Sequence, residues 1–211
     1  MFEYIVVEGP IGVGKTSLTR LLAKEFNARM FLEKPEENPF LTEFYQNRRK
    51  YAFQTQLFFL LKRYQQQTEV AQLELFNQIT LCDYLFAKDR IFATLNLDDN
   101  ELVLYEQVFH LLNGKIPTPD LVIFLQAKPD VLLHRIRSRN HPYEKEIDLD
   151  YLKTVTEAYN YFFFHYNESP LLIVDTSEID FVKRKDDLDQ LIREIRQMQK
   201  GTWYFIPRRS K

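Results

Sequence analysis

"EGPIGVGKTS", residues 8–17, decides how the rest of the chain is read. The chain has five glycines in 211 residues, and three of them, Gly9, Gly12 and Gly14, fall inside this stretch. Glycine enters left-handed conformations without a Cβ penalty and lets another group approach the main chain, so the cluster predicts a tight loop with something lying against it. Gly9-Pro10-Ile11-Gly12-Val13-Gly14-Lys15-Thr16 fits G-x-x-x-x-G-K-[ST], between the apolar run "YIVVEG" (4–9) and the helical stretch "KTSLTRLLAKEF". In that strand–loop–helix setting the pattern binds phosphates. Backbone N–H groups and the positive helix end cradle the anion, Lys15 reaches the outer phosphates, and the Thr16 hydroxyl, with Ser17 beside it, serves a magnesium ion.

Working outward, further apolar runs bounded by turn residues recur at 29–34, 79–84, 121–127 and 171–176. Each reads as a buried strand, and helical stretches separate them. The alternation predicts an α/β fold with a parallel sheet between helices. Between the second and third runs the chain is too long for a simple crossover and suits one short helix plus one long one, "YAFQTQLFFLLKRYQQQTEVAQLELF". "LFAKDRIFATLNL" and "DNELVLYEQVFHLLNGK" suggest a second helical pair, and "RKDDLDQLIREIRQMQK" a last helix. The tail "GTWYFIPRRSK" brings Trp203, Tyr204 and Phe205 to pack on the body. No linker interrupts the chain, so a single domain over 1–211 is expected.

Hydrophobic residues at 45% with 27% charged place the chain among globular proteins. A formal net charge of −2 argues against a nucleic-acid partner bound through a broad basic surface. The one cysteine, Cys82, cannot form an intramolecular disulfide, and no apolar run approaches the ~20 residues of a membrane span. With no leader pattern before "FEYIVVEG", a cytoplasmic protein without a membrane partner is expected. His110, His134, His141 and His165 form no recognisable metal set, so no zinc site is expected.

A phosphate loop identifies a nucleotide without saying what happens to it. A GTPase would add D-x-x-G and N-K-x-D. Neither is present: the only glycines outside the loop are Gly114 and Gly201, and the nearest guanine-motif lookalike is "AKPD" at 127–130. ATP is the better donor.

"EGPIGVGKTS", "LEKPEENPF", "FQTQLFFLLKRYQQ", "DYLFAKDRIFA" and "LHRIRSRN" occur in this order, and together they resemble the deoxynucleoside kinase family in its bacterial branch, over about residues 3–182. The resemblance implies a three-layer P-loop kinase fold with a five-stranded parallel sheet, a homodimer built on the long helices, and ATP- and magnesium-dependent phosphorylation of a deoxynucleoside 5′-hydroxyl. Small-molecule substrates are the partners it implies.

The resemblance also assigns residues. Glu33, at the end of the second strand, matches the family's general base, and a carboxylate there faces the crevice where parallel sheets bind ligands. Lys34 intervenes where most members have proline. Tyr45, Gln56 and Arg63 match the sugar-contacting tyrosine, base-reading glutamine and base-side arginine; the seven-residue step from Gln56 to Arg63 puts both on one helix face. Asp83 matches the acidic residue near the metal-bound phosphates, making Thr16 and Asp83 the expected metal-binding pair. Tyr84 stands where an arginine is common. Asp89 matches the partner of the base-side arginine and, accepting only, would favour a base with an exocyclic amine over thymine, with deoxyadenosine first.

"LHRIRSRNHPYEKE" resembles the mobile lid, about 135–147, whose Arg135 and Arg139 embrace the transferring phosphoryl group. Glu144 matches the glutamate that contacts the sugar 3′-hydroxyl. Asp180 and Phe181, in "SEIDF", match the loop against the donor adenine. Two other readings compete: a nucleoside monophosphate kinase of the thymidylate kinase type and a non-catalytic nucleotide-binding module. The first needs cations for the acceptor's own phosphate, where this chain offers Tyr84 and Glu33.

Overall fold

Tyr4–Glu8 forms β1 and is buried at every position, as a strand must be when neighbours flank it and helices cover both faces. The computed structural model describes residues 2–73 and 78–206. Within them β2 is Arg29–Phe31, β3 Thr80–Cys82, β4 Leu121–Gln126, β5 Leu171–Asp175 and β6 Thr202–Phe205. The six form one sheet in the order β2-β3-β1-β4-β5-β6, and every pairing is parallel.

Six strands replace the five expected. β6 comes from the aromatic tail and pairs with β5 from Leu171↔Thr202 to Val174↔Phe205. An edge strand of four residues, alternately exposed and half-buried, is too short for its period to stand out from a loop.

Eight helices occur among the described residues. α1 is Lys15–Phe26, α2 Leu41–Gln46 and α3 Arg48–Leu73, the last two being the expected short and long pair. The expected continuation of the long helix to Phe76, the tail beyond Ile206 and Met1 lie outside the described residues. α4 (Asp89–Asn96) and α5 (Asp99–Asn113) form the second pair. Asp98 caps α5, accepting from Asn100 N and Glu101 N at 3.0 Å each, while the Glu101 side chain accepts from Asp98 N; a cap of this kind contributes about 1 kcal/mol. α6 (Pro129–Arg139), α7 (Leu149–Phe164) and α8 (Lys185–Gln197) complete the set. No described helix is long and apolar enough to cross a membrane.

The chain leaves β2 after Phe31 and β3 after Cys82, earlier than the apolar runs suggested. A cross-link explains the early exit. Asp83 accepts from Glu33 N at 2.7 Å, and its own N donates to Phe31 O at 3.2 Å, so the two strand ends splay at the carboxyl edge and present Glu33 and Asp83.

The loop glycines are answered first by the protein itself. Gly12 has φ +84°, and a Cβ there would lie 2.8 Å from Ile136 Cγ1 and 2.9 Å from Leu132 O of α6. Gly9, with φ +154°, would push a Cβ into Leu125 O of β4. The loop is therefore pressed onto β4 and α6 before any ligand arrives.

Candidate active site

A cleft of about 510 Å³ opens at the carboxyl edge of the sheet, where parallel α/β sheets gather their ligands. Ile11, Gly12, Gly14, Lys15, Thr16 and Ser17 line it on one side. Gly9, Pro10 and Val13 turn inward and are buried. Lys15 Nζ donates to Gly9 O at 2.7 Å and to Pro10 O at 3.3 Å, so the ammonium already lies over the concavity of the loop. Burial, helped by repulsion from Lys88, lowers its pKa to about 8 against the pull of Glu8, Glu33 and Asp83.

Thr16 Oγ1 donates to Asp83 Oδ2 at 2.5 Å. A hydroxyl and a carboxylate side by side suit magnesium, which takes few protein oxygens and shares the rest of its shell with phosphate and water. Among the described residues no group of three or more His, Cys, Asp or Glu could hold a metal unaided, so the ion would arrive with its nucleotide.

Glu33 meets two cations at the floor of the cleft. Arg63 Nε donates to Oε1 at 2.8 Å, Arg63 Nη2 bonds the same oxygen, and Lys88 Nζ donates to Oε2 at 3.2 Å. Burial pushes the carboxyl pKa up, but Arg63, Lys88 and Lys15 outweigh it and hold the group at about 2. Glu33 is thus ionised at every working pH. Lys34 turns outward to Glu37 at 3.1 Å, so its insertion before Pro35 leaves the glutamate in the cleft.

Tyr45, Gln56 and Arg63 line the opposite wall with Phe59, and Gln56 is buried with no protein hydrogen bond to its amide among the described residues. An unpaired amide in a cleft is available to a ligand that presents an adjacent donor and acceptor. Asp89 departs from expectation. It is fully buried and does not line the cleft; one oxygen bonds Arg63 Nη1 and the other accepts from Tyr105 Oη at 2.9 Å. The guanidinium therefore stands between this carboxylate and the cleft. Tyr84, which stands where an arginine is common in the family it resembles, is also fully buried and does not line the cleft.

The two arginines expected of a lid separate. Arg139 lines the cleft and is paired through Nε (2.8 Å) and Nη2 with Glu144, so the residues expected on the phosphoryl group and on the sugar hold each other. Arg135 does not line the cleft. Its Nη1 donates to Val13 O and Thr176 Oγ1 at 3.1 Å each, and Nη2 to Thr176 O at 2.8 Å. α6 runs past the loop, so of two arginines on one helix face the earlier clamps the loop's back and the later reaches the cleft. Asp180 and Phe181 likewise lie outside the cleft lining. The Asp180 carboxylate accepts from Val182 N at 3.1 Å and Lys183 N at 3.0 Å, and the Phe181 ring packs against Gly14.

Two charged residues were not singled out from the sequence. Glu8 ends β1 fully buried, accepting from Gly9 N at 2.8 Å, Leu85 N at 2.7 Å and Tyr159 Oη at 3.3 Å. A lone charge ending an all-buried strand was its signal. Lys88, only 2% exposed, had none.

The sequence model of the deoxynucleoside kinase family matches residues 5–200. A deoxyguanosine kinase of Bacillus subtilis is 34% identical over 200 residues, covering 92% of this chain and 97% of its own. A deoxyadenosine kinase of Dictyostelium discoideum is 35% identical over 162 residues, 75% of this chain and 66% of its own. A solved deoxyadenosine kinase from M. mycoides with bound dATP superposes with a TM-score of 0.81 at 23% identity, over 92% of this chain and all of the other.

Proposed function

The chain belongs to the deoxynucleoside kinase family, and from that premise we propose that it transfers the γ-phosphoryl group of ATP to the 5′-hydroxyl of a purine deoxynucleoside, deoxyguanosine first. One observation carries this reading: an ionised Glu33 and the loop lysine Lys15 line the same cleft. The 5′-oxygen attacks the γ-phosphorus, the bond to the β-phosphate oxygen breaks, ADP leaves, and the hydroxyl proton passes to Glu33. Lys15 and the loop N–H groups hold the donor phosphates, and Arg139, once released from Glu144, meets the charge on the transferred group. Magnesium, held by Thr16 and Asp83, would neutralise the outer phosphates. Arg139, His141, Tyr143 and Glu144 all line the cleft, which supports a lid over about 135–147 on a single domain.

The base preference follows from Arg63. Of its five N–H donors, three already bond Glu33 and Asp89, and Arg63 itself lines a cleft from which Asp89 is absent. Guanine offers two acceptors, O6 and N7, to a donor-only guanidinium, whereas adenine sets an amine beside N7. Gln56 satisfies either base by turning its amide. Deoxyadenosine, the first expectation from sequence, rested on a carboxylate facing the base. Comparing kcat/KM for the four deoxynucleosides with ATP is expected to place deoxyguanosine above deoxyadenosine by about tenfold or more, a bidentate pair being worth roughly 1–3 kcal/mol. Deoxyadenosine equal or better would mean that Asp89 turns into the cleft on binding.

The homodimer belongs to the same proposal. Leu104 and Leu111, seven residues apart on α5, are 50% and 72% exposed, and Leu61 on the adjoining α3 is 48% exposed. Sedimentation at micromolar concentration is expected to give twice the monomer mass, and Leu104→Glu with Leu111→Glu the monomer; a monomeric wild type would remove the dimer from the proposal.

A further inference from the structure

Lys88 ends a 3-10 turn, Phe86–Lys88, between β3 and α4. The turn is fixed from two sides. Leu85 N donates to Glu8 Oε2 at 2.7 Å, tying it to the strand that enters the phosphate loop, and Lys88 N donates to Leu85 O at 3.1 Å. Its side chain then runs through the interior and brings Nζ to the cleft floor, 3.2 Å from Glu33 Oε2.

Burying an ammonium is costly unless it is paired and hydrogen-bonded. The fully buried Glu8 carboxylate, 3.5 Å from Nζ, accounts for part of it as an ion pair, while the hydrogen bonds to Glu8 come from two backbone N–H groups and the Tyr159 hydroxyl. The hydrogen bond of Lys88 goes to Glu33. Arg63 holds Oε1 of that carboxylate and Lys88 holds Oε2, so the two cations fix its plane. Arg63 is divided among Glu33, Asp89 and, as argued above, the base, whereas the Nζ hydrogen bond of Lys88 goes to Glu33 alone. Tyr84, two residues beyond β3, is buried and supplies no cation to the cleft.

We infer that Lys88 is a positioning residue for the phosphoryl transfer: it aims the Glu33 carboxylate at the 5′-hydroxyl, and it does so from the turn that Glu8 anchors. The inference rests on Glu33 being the proton acceptor, and the experiment separates the two claims.

A double-mutant cycle over Lys88→Met and Glu33→Gln, with kcat and nucleoside KM measured for each, isolates coupling between the positions. Lys88→Met is expected to lower kcat by about 10²-fold with KM changed less than threefold. In the Glu33→Gln background the same substitution is expected to cost less than threefold, because no carboxylate remains to be aimed. Lys88→Arg is expected to recover at least tenfold over Lys88→Met, and melting temperatures report whether each variant is folded.

An equal loss from Lys88→Met in both backgrounds would overturn the positioning role and leave a structural charge. Wild-type kcat in folded Lys88→Met would overturn it too. Wild-type turnover in Glu33→Gln would instead remove the proton acceptor itself, which is the failure of the proposed function. If Lys88→Met does not fold, the cycle is run with Lys88→Gln, which keeps a donor at that depth, and the same two outcomes decide.

Discussion

Glu33→Gln is expected to lower kcat by about 10²–10⁴ while the nucleoside KM changes by less than tenfold. Glutamine keeps the size and one acceptor of the side chain but cannot take the proton. The environment of Glu33 makes this more than a loss of basicity. Burial raises its pKa, yet Arg63, Lys88 and Lys15 prevail and hold it at about 2, which makes it a weak base in the ground state. A weak base suffices where the transition state is loose, because the hydroxyl proton becomes acidic only as its oxygen closes on phosphorus. The neutral amide would also remove the charge that Arg63 Nε and Lys88 Nζ bond. Steady-state ADP release at saturating ATP and nucleoside reads the effect, and turnover within threefold of wild type would move the proton acceptor elsewhere.

Lys15→Ala is expected to lower kcat/KM for ATP by about 10²–10³, the usual cost of one preorganised donor, with nucleoside affinity nearly unchanged. Its hydrogen bonds go only to the carbonyls of Gly9 and Pro10, inside the loop. The fold should therefore survive, which circular dichroism checks. Because burial and Lys88 lower the Lys15 pKa to about 8, the free enzyme loses this charge as pH rises past that value. Wild-type kcat/KM for ATP should fall above about pH 8, and that limb should be missing in Lys15→Ala. An unchanged kcat/KM in the variant would take the lysine out of donor binding.

The amine preference expected of Asp89 shows where reading by position stops. The family resemblance paired Arg63 with Asp89, and the two are bonded. It could not say which of the pair faces the cleft, because that order depends on how α3 and α4 pack and on a third residue, Tyr105, arriving from α5 to take the second oxygen. Arg135 and Arg139 make the same point: an i, i+4 spacing defines a shared face, and only the passage of α6 behind the loop sends one guanidinium to Val13 O and the other to the cleft.

What this chain's sequence determined by itself is local or periodic. The G-x-x-x-x-G-K-[ST] stretch set a strand–loop–helix, buried apolar runs set a parallel sheet, and α1 spans Lys15–Phe26 as the loop motif and helical pattern require. Lys15 and Thr16 were legible from the loop motif, and Glu33, Gln56 and Asp83 through the family resemblance; all five line the cleft. The sixth strand, the inward turn of Asp89 and the buried Lys88 were decided only by tertiary structure. Each depends on contacts between segments far apart in the chain: Thr202–Phe205 on β5, Tyr105 on Asp89, and Glu8 on the turn that carries Lys88 to Glu33. A buried charge is stable only where other segments complete its bonding, and no window of sequence contains those partners together.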